Sequence, residues 1–205
     1  MSRAVNDSDP RVQRTRQLLI QAFMALVQEK MNIHSVSVLE ITTRATVNRA
    51  TFYAHFEDKY ALVECWLREK FQRALACKLP DSSTLQRETL HRLILAVFDF
   101  LALVRYYHRP SDQQYEPLFE IAIQQELYEL LLRWLQQAPV VAPLREEMRE
   151  TTAQVISWAI FGPAAQWSRG DQSIPAEEMA SHILTVVIAG LSPVVIVPDQ
   201  CSKPG

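Results

Sequence analysis

Residues 36–59 read Val-Ser-Val-Leu-Glu-Ile-Thr-Thr-Arg-Ala-Thr-Val-Asn-Arg-Ala-Thr-Phe-Tyr-Ala-His-Phe-Glu-Asp-Lys, and this stretch decides the fold. Ser37 followed three residues later by Glu40 is a capping box, and Val36 and Ile41 stand where a hydrophobic staple fixes the entry of the chain into a helix. The helix that begins there is short, to about Arg44. A brief connection follows, and then Asn48 is placed to cap a second short helix, with Val47 and Phe52 in the same staple geometry. Two short, capped helices joined by a three-residue turn are a helix-turn-helix. In that arrangement the first helix braces against the DNA backbone and the second presents its N-terminal residues to base edges in the major groove.

The residues at those N-terminal positions suit the task. Arg49 offers two parallel donors to guanine, and Ala50 or the Thr51 methyl can touch a thymine methyl. Phe52 and Phe56 are expected to point inward as anchors. Tyr53, His55 and Lys59 then fall on or beside the groove-facing side, where contacts to phosphate fix position without reading sequence.

Outward from this stretch the helical periodicity continues in both directions. Asp9 caps a helix that begins at Pro10, carries Val12, Leu19, Ala22, Phe23 and Leu26 as one stripe, and ends around 29–31. Asp58 caps a fourth helix bearing Leu62, Cys65, Trp66, Phe71 and Leu75. The run 80–83, Pro-Asp-Ser-Ser, is the expected hinge between a domain of residues 1–80 and one of residues 81–205. Further helices are expected near 84–107, 116–137, 144–169 and 175–191, with an extra turn possible around 111–119 and prolines at their ends. The fold class expected is therefore all-α: a three-helix DNA-binding domain followed by a helical bundle.

Composition narrows the function classes. None of the four glycines precedes residue 162, so the glycine-rich phosphate loops of nucleotide-binding folds are missing. Cys65, Cys77 and Cys201 form no Cys-x-x-Cys pair, and no zinc or dithiol site is expected. Glu88-x-x-His91 has the spacing of a di-metal bundle motif but lacks a second copy, and is read as a solvated helix face. Nothing orders serine or cysteine with histidine and a carboxylate for catalysis, so neither enzymatic activity nor a cofactor or metal is expected. No apolar run is long enough to span a membrane and the N-terminus is polar, which points to a soluble cytoplasmic protein. The formal net charge is −2, yet residues 1–80 hold twelve Lys and Arg against eight Asp and Glu, while residues 81–205 hold nine against fifteen. A basic head can face phosphate while an acidic body stays clear of it.

The stretch Arg14 to Leu62 resembles the DNA-binding domain of the TetR/AcrR family of bacterial transcriptional regulators. The resemblance rests on the amphipathic first helix, Val36-Ser37-Val38, Ile41, and above all Thr51-Phe52-Tyr53-x-His55-Phe56-x-Asp58-Lys59 followed by Leu62. It covers about a quarter of the chain. It implies that Asn48, Arg49, Thr51 and Tyr53 read or clamp DNA, and that His55, Lys59 and either Thr43 or Arg44 hold phosphate. It departs at 45–48, where the family commonly has Ala-Gly-Val-Ser and this chain has Ala-Thr-Val-Asn. A β-branched residue at positive φ is a steric outlier, so Thr46 is expected to keep a negative φ in a slightly altered turn.

In the second domain, Tyr106, Tyr107, His108 and Trp134 are candidates to line a pocket for a small apolar or aromatic effector. Val155, Trp158 and Ala159 on one of the last two helices, with Ile183, Val186 and Val187 on the other, form broad apolar faces expected to pair with a second copy. Pro163 is expected to bend the first of these helices. The function expected is a repressor that binds palindromic double-stranded DNA as a homodimer and is released by an effector. The alternative is a helix-turn-helix regulator with no small-molecule effector, controlled by a protein partner.

Overall fold

The computed structural model describes residues 9–30, 33, 35–80, 84–107, 116–138 and 146–191. They form eight helices: α1 (Pro10–Lys30), α2 (Val38–Ala45), α3 (Arg49–His55), α4 (Lys59–Lys78), α5 (Arg87–Tyr107), α6 (Glu116–Gln137), α7 (Glu146–Arg169) and α8 (Ala176–Leu191). No strand occurs among the described residues. The chain divides into two compact units, Met1–Leu67 with His108–Phe119, and Arg68–Tyr107 with Glu120–Gly205. The division falls inside α4.

The first unit is built by the caps and anchors that its sequence carries. The Asp9 carboxylate accepts from the Arg11 N–H at 2.8 Å, and that of Asp58 accepts from Tyr60 and Ala61, both at 2.8 Å. These bonds satisfy amide groups that have no partner in a first helical turn. Leu19, Phe23, Ile41, Phe52 and Leu62 are fully buried and converge, with Phe56 nearly so. Phe52 and Phe56 lie with ring centroids 5.8 Å apart, so the seven-residue α3 is held by two aromatic side chains. A helix this short is not stable alone and takes its stability from such packing.

In the second unit α5 packs against α7 and α8. Leu90, Leu93, Ile94, Val97 and Phe98, spaced three and four apart, are all fully buried, which makes α5 the centre of this core. A buried polar pair interrupts it: the Gln124 amide donates to Ser157 Oγ at 3.0 Å, and Ser157 donates in turn to the Gln154 carbonyl. Both hydroxyl and amide are thereby satisfied, the condition for polar groups in an apolar core. Pro163 lies inside α7, which continues through it. Its neighbours Ala164 and Ala165 are buried. Of the hinge expected at 80–83, residues 81–83 lie outside the described residues, as do residues 111–115 of the extra turn expected around 111–119, whose residues 116–119 belong to α6.

Candidate nucleic-acid interface

The turn between α2 and α3 positions the site. The Ser37 hydroxyl accepts from the Glu40 N–H, and the Glu40 carboxylate accepts from the Ser37 N–H at 2.9 Å, closing the capping box. At the other end of α2 the Thr46 N–H donates to Thr43 O at 3.2 Å and the Val47 N–H to Thr42 O at 3.0 Å. This pair of bonds is the Schellman motif, which requires its pivot residue to be left-handed. Thr46 accordingly has φ 58° and ψ 40°. The expectation of a negative φ is corrected: the two backbone bonds that end α2 outweigh the steric objection of a β-branched side chain. The cost of a left-handed non-glycine residue is about 1–2 kcal/mol, comparable to the bonds it allows. Thr42 is buried, and its hydroxyl donates to the Val38 and Leu39 carbonyls.

α3 begins at the next cap. The Asn48 Oδ1 accepts from the Thr51 N–H at 2.7 Å and from the Thr51 hydroxyl at 2.9 Å, so both residues are committed to opening the helix. Arg49, Ala50, Tyr53 and Ala54 are exposed, and Tyr53 is 50% exposed despite its size. The Arg49 guanidinium stands 5.9 Å from the centre of the Tyr53 ring and touches its hydroxyl at 3.4 Å. Arg49 and Tyr53 thus occupy one outward face of α3, one turn apart. Its opposite face is sealed by Phe52.

The remaining predicted contacts are distributed differently. Thr43 and Arg44 are exposed on the last turn of α2, and Arg44 forms a two-pronged ion pair with Glu29, both bonds 2.6 Å. Its hydrogen bonds hold the Glu29 carboxyl below the ordinary range, while Glu29 raises the guanidinium. His55 is half-buried at the end of α3. Lys59 is half-buried as well, and its ammonium donates to the carbonyls of Ile33 at 3.2 Å and Val36 at 3.0 Å. Burial draws its pKa below the usual lysine value. Sequence reasoning had no signal for these carbonyl contacts, because they join residues more than twenty positions apart.

In the second unit Trp134 is buried and lines a cavity of about 650 Å³ bordered by Leu75, Leu79, Leu130, Glu126 and Gln72. The Glu126 carboxylate there accepts from the Gln72 amide at 2.6 Å and from Arg68 at 3.4 Å. Apart from Trp134, and Leu75 as part of the α4 stripe, these cavity residues carry no signal in the sequence. The side chains of Tyr106 and Tyr107, and all of His108, lie outside the described residues. Of the predicted pairing face, Val155, Trp158 and Val186 are exposed and Ala159 partly so, whereas Ile183 and Val187 are buried in the core of their own unit. Among the described residues no group of three His, Cys, Asp or Glu side chains is placed to hold a metal. No described helix is long and apolar enough to cross a membrane.

A braced short helix, a fixed turn and a second short helix with an exposed arginine and tyrosine define the helix-turn-helix class of DNA-binding domain. Comparison with known proteins points the same way: residues 20–64 match the model of the bacterial regulatory proteins of the tetR family. A curated relative, the uncharacterized HTH-type transcriptional regulator YxbF of Bacillus subtilis (strain 168), is 26% identical over 106 residues, 49% of this chain. The chain spans only 28% of that protein's length. Among solved structures, the TetR family repressor AlkX from Dietzia sp. strain DQ12-45-1b is similar in fold, with a TM-score of 0.56 and 14% identity over 87% of this chain and 98% of that one. The dihydroxyacetone kinase operon activator DhaS gives a TM-score of 0.52 and 17% identity over 89% and 98%.

Proposed function

We propose that this protein is a cytoplasmic transcriptional repressor that binds a palindromic operator as a homodimer and releases it when a small apolar or aromatic effector binds the second unit. The observation that carries the DNA-binding reading is the outward face of α3, where Arg49 and Tyr53 stand exposed on a helix whose other face is locked by Phe52. Arg49 reads a base edge, and Tyr53 and Thr43 contact the backbone beside it. Asn48 and Thr51 act by holding the N-terminus of α3 in register. His55 completes the backbone-facing set, while Lys59, whose ammonium donates to the Ile33 and Val36 carbonyls, ties the start of α4 to the segment before α2.

One short recognition helix reads few bases, so specificity calls for two copies on half-sites roughly 34–36 Å apart or a multiple of that spacing. The exposed Val155 and Trp158 on α7 and Val186 on α8 supply the apolar surface for such pairing. Open space above Gly162 and Gly190 lets a partner backbone come close. The cavity beside Trp134 falls within the roughly 300–1,000 Å³ of small-molecule sites, and its lining joins apolar Leu75, Leu79 and Leu130 to polar Gln72, Glu126 and Arg133. An effector acts only by favouring the dimer that does not fit DNA, to the extent of its differential affinity for the two forms. Titration of the operator duplex by fluorescence anisotropy tests the reading. Tyr53→Ala is expected to bind more weakly than the wild type, and equal binding by the two would overturn the assignment of α3.

A further inference from the structure

Glu29 closes α1 with its carboxylate against Arg44, each oxygen accepting from one terminal guanidinium nitrogen at 2.6 Å. Two parallel N–H···O bonds are also how an arginine fork grips a phosphate. Arg44 is the single arginine of α2 and lies two residues before the left-handed bend. In a helix-turn-helix this first helix crosses the DNA backbone. Both side chains are exposed, 39% for Arg44 and 57% for Glu29, so the pair contributes little to folding. α2 is placed by other means: buried Ile41 and Thr42, the Ser37–Glu40 capping box, and Lys30, which reaches Glu40 from the same end of α1 at 2.5 Å. What remains for Glu29 to do is to fill the fork.

We infer that Glu29 is an intramolecular stand-in for phosphate, which keeps Arg44 off the DNA backbone and so lowers affinity for duplex of any sequence. The inference rests on the DNA-binding reading above. Phosphate contacts supply the sequence-independent part of binding, so a cation withheld from them lowers the background on which specific recognition is built.

The test is the dissociation constant for a labelled duplex of mixed sequence, measured for wild type, Glu29→Gln, Arg44→Ala and the double variant from about 50 to about 200 mM salt. Thermal unfolding confirms that each is folded, and Glu29→Ala serves as a second neutral variant. Glu29→Gln is expected to bind roughly threefold to tenfold more tightly at the lowest salt, and to steepen the log–log salt dependence by about 0.9 for the one added phosphate. With Arg44→Ala present the gain should vanish, which separates release of Arg44 from the simple loss of a negative charge. An unchanged slope, a gain that persists without Arg44, or weaker binding by Glu29→Gln overturns the inference. If the wild type itself binds no duplex even at low salt, it is the DNA-binding reading that fails.

Discussion

The N–H of Val47 donates to the carbonyl of Thr42 at 3.0 Å across the bend between α2 and α3, and with its companion bond from Thr46 to Thr43 it holds Thr46 left-handed. The geometry of the turn between α2 and α3 therefore hangs on a residue type that resists it.

Relieving that conflict should stabilise the protein. Thr46→Gly removes a left-handed penalty of about 1–2 kcal/mol but adds backbone freedom to the unfolded chain, for a net gain of about 0.5–1 kcal/mol. Thr46→Ala keeps its Cβ and should gain less. Urea unfolding with an unchanged slope measures the difference, and a lower midpoint for the glycine variant would contradict the strain at this position.

The capping box brings a dependence on pH. The Glu40 carboxyl is lowered to about 2, first by its bond from Lys30 and then by its bonds from Ser37. A carboxyl lowered on folding stabilises the native state above its unfolded pKa, and this support fades as pH falls through the folded value. The thermal midpoint of the wild type should therefore decline between about pH 4.5 and about pH 2 more steeply than that of Glu40→Gln. Glutamine preserves the reciprocal cap but not the charge. Parallel curves would show that Glu40 does not carry this linkage.

The anchors of α3 should be unequal. Phe52 is fully buried, so Phe52→Ala is expected to cost about 3–5 kcal/mol by loss of contacts and a residual cavity. Asn48→Ala removes one cap and should cost about 1 kcal/mol, while Asn48→Ser should be nearly neutral. Chemical denaturation of the three variants checks the order, and a cost for Asn48→Ala as large as that for Phe52→Ala would mean that packing does not dominate.

Pairing should depend on the exposed face of α7 and α8. Placing a charge at Trp158 or Val186, as in Trp158→Asp or Val186→Asp, is expected to shift the protein from dimer to monomer in sedimentation velocity. A wild type that sediments as a monomer at every concentration would exclude that face as a dimer interface.

Legibility in the sequence followed the range of the interactions. The capping box, the caps, the staples and the paired phenylalanines are local, acting over two to five residues, and their residue types announce them. The helices they bound lie where periodicity and caps place them. Thr46 departs from its residue type's preference because two backbone bonds constrain it, and the residue type alone does not announce them. The Lys59 contacts with Ile33 and Val36, the Arg44 fork filled by Glu29, and the burial of Ile183 and Val187 within their own unit arise from elements brought together by folding. No periodicity in the sequence carries that information.

Selection of bound sequences from random duplex DNA by the purified protein tests most directly whether α3 reads bases. Enrichment of a palindrome with two half-sites is the result expected, with specificity at one position relaxed by Arg49→Ala at a cost of about 1–3 kcal/mol. Recovery of unenriched, weakly bound duplexes by wild type and variant alike would contradict it.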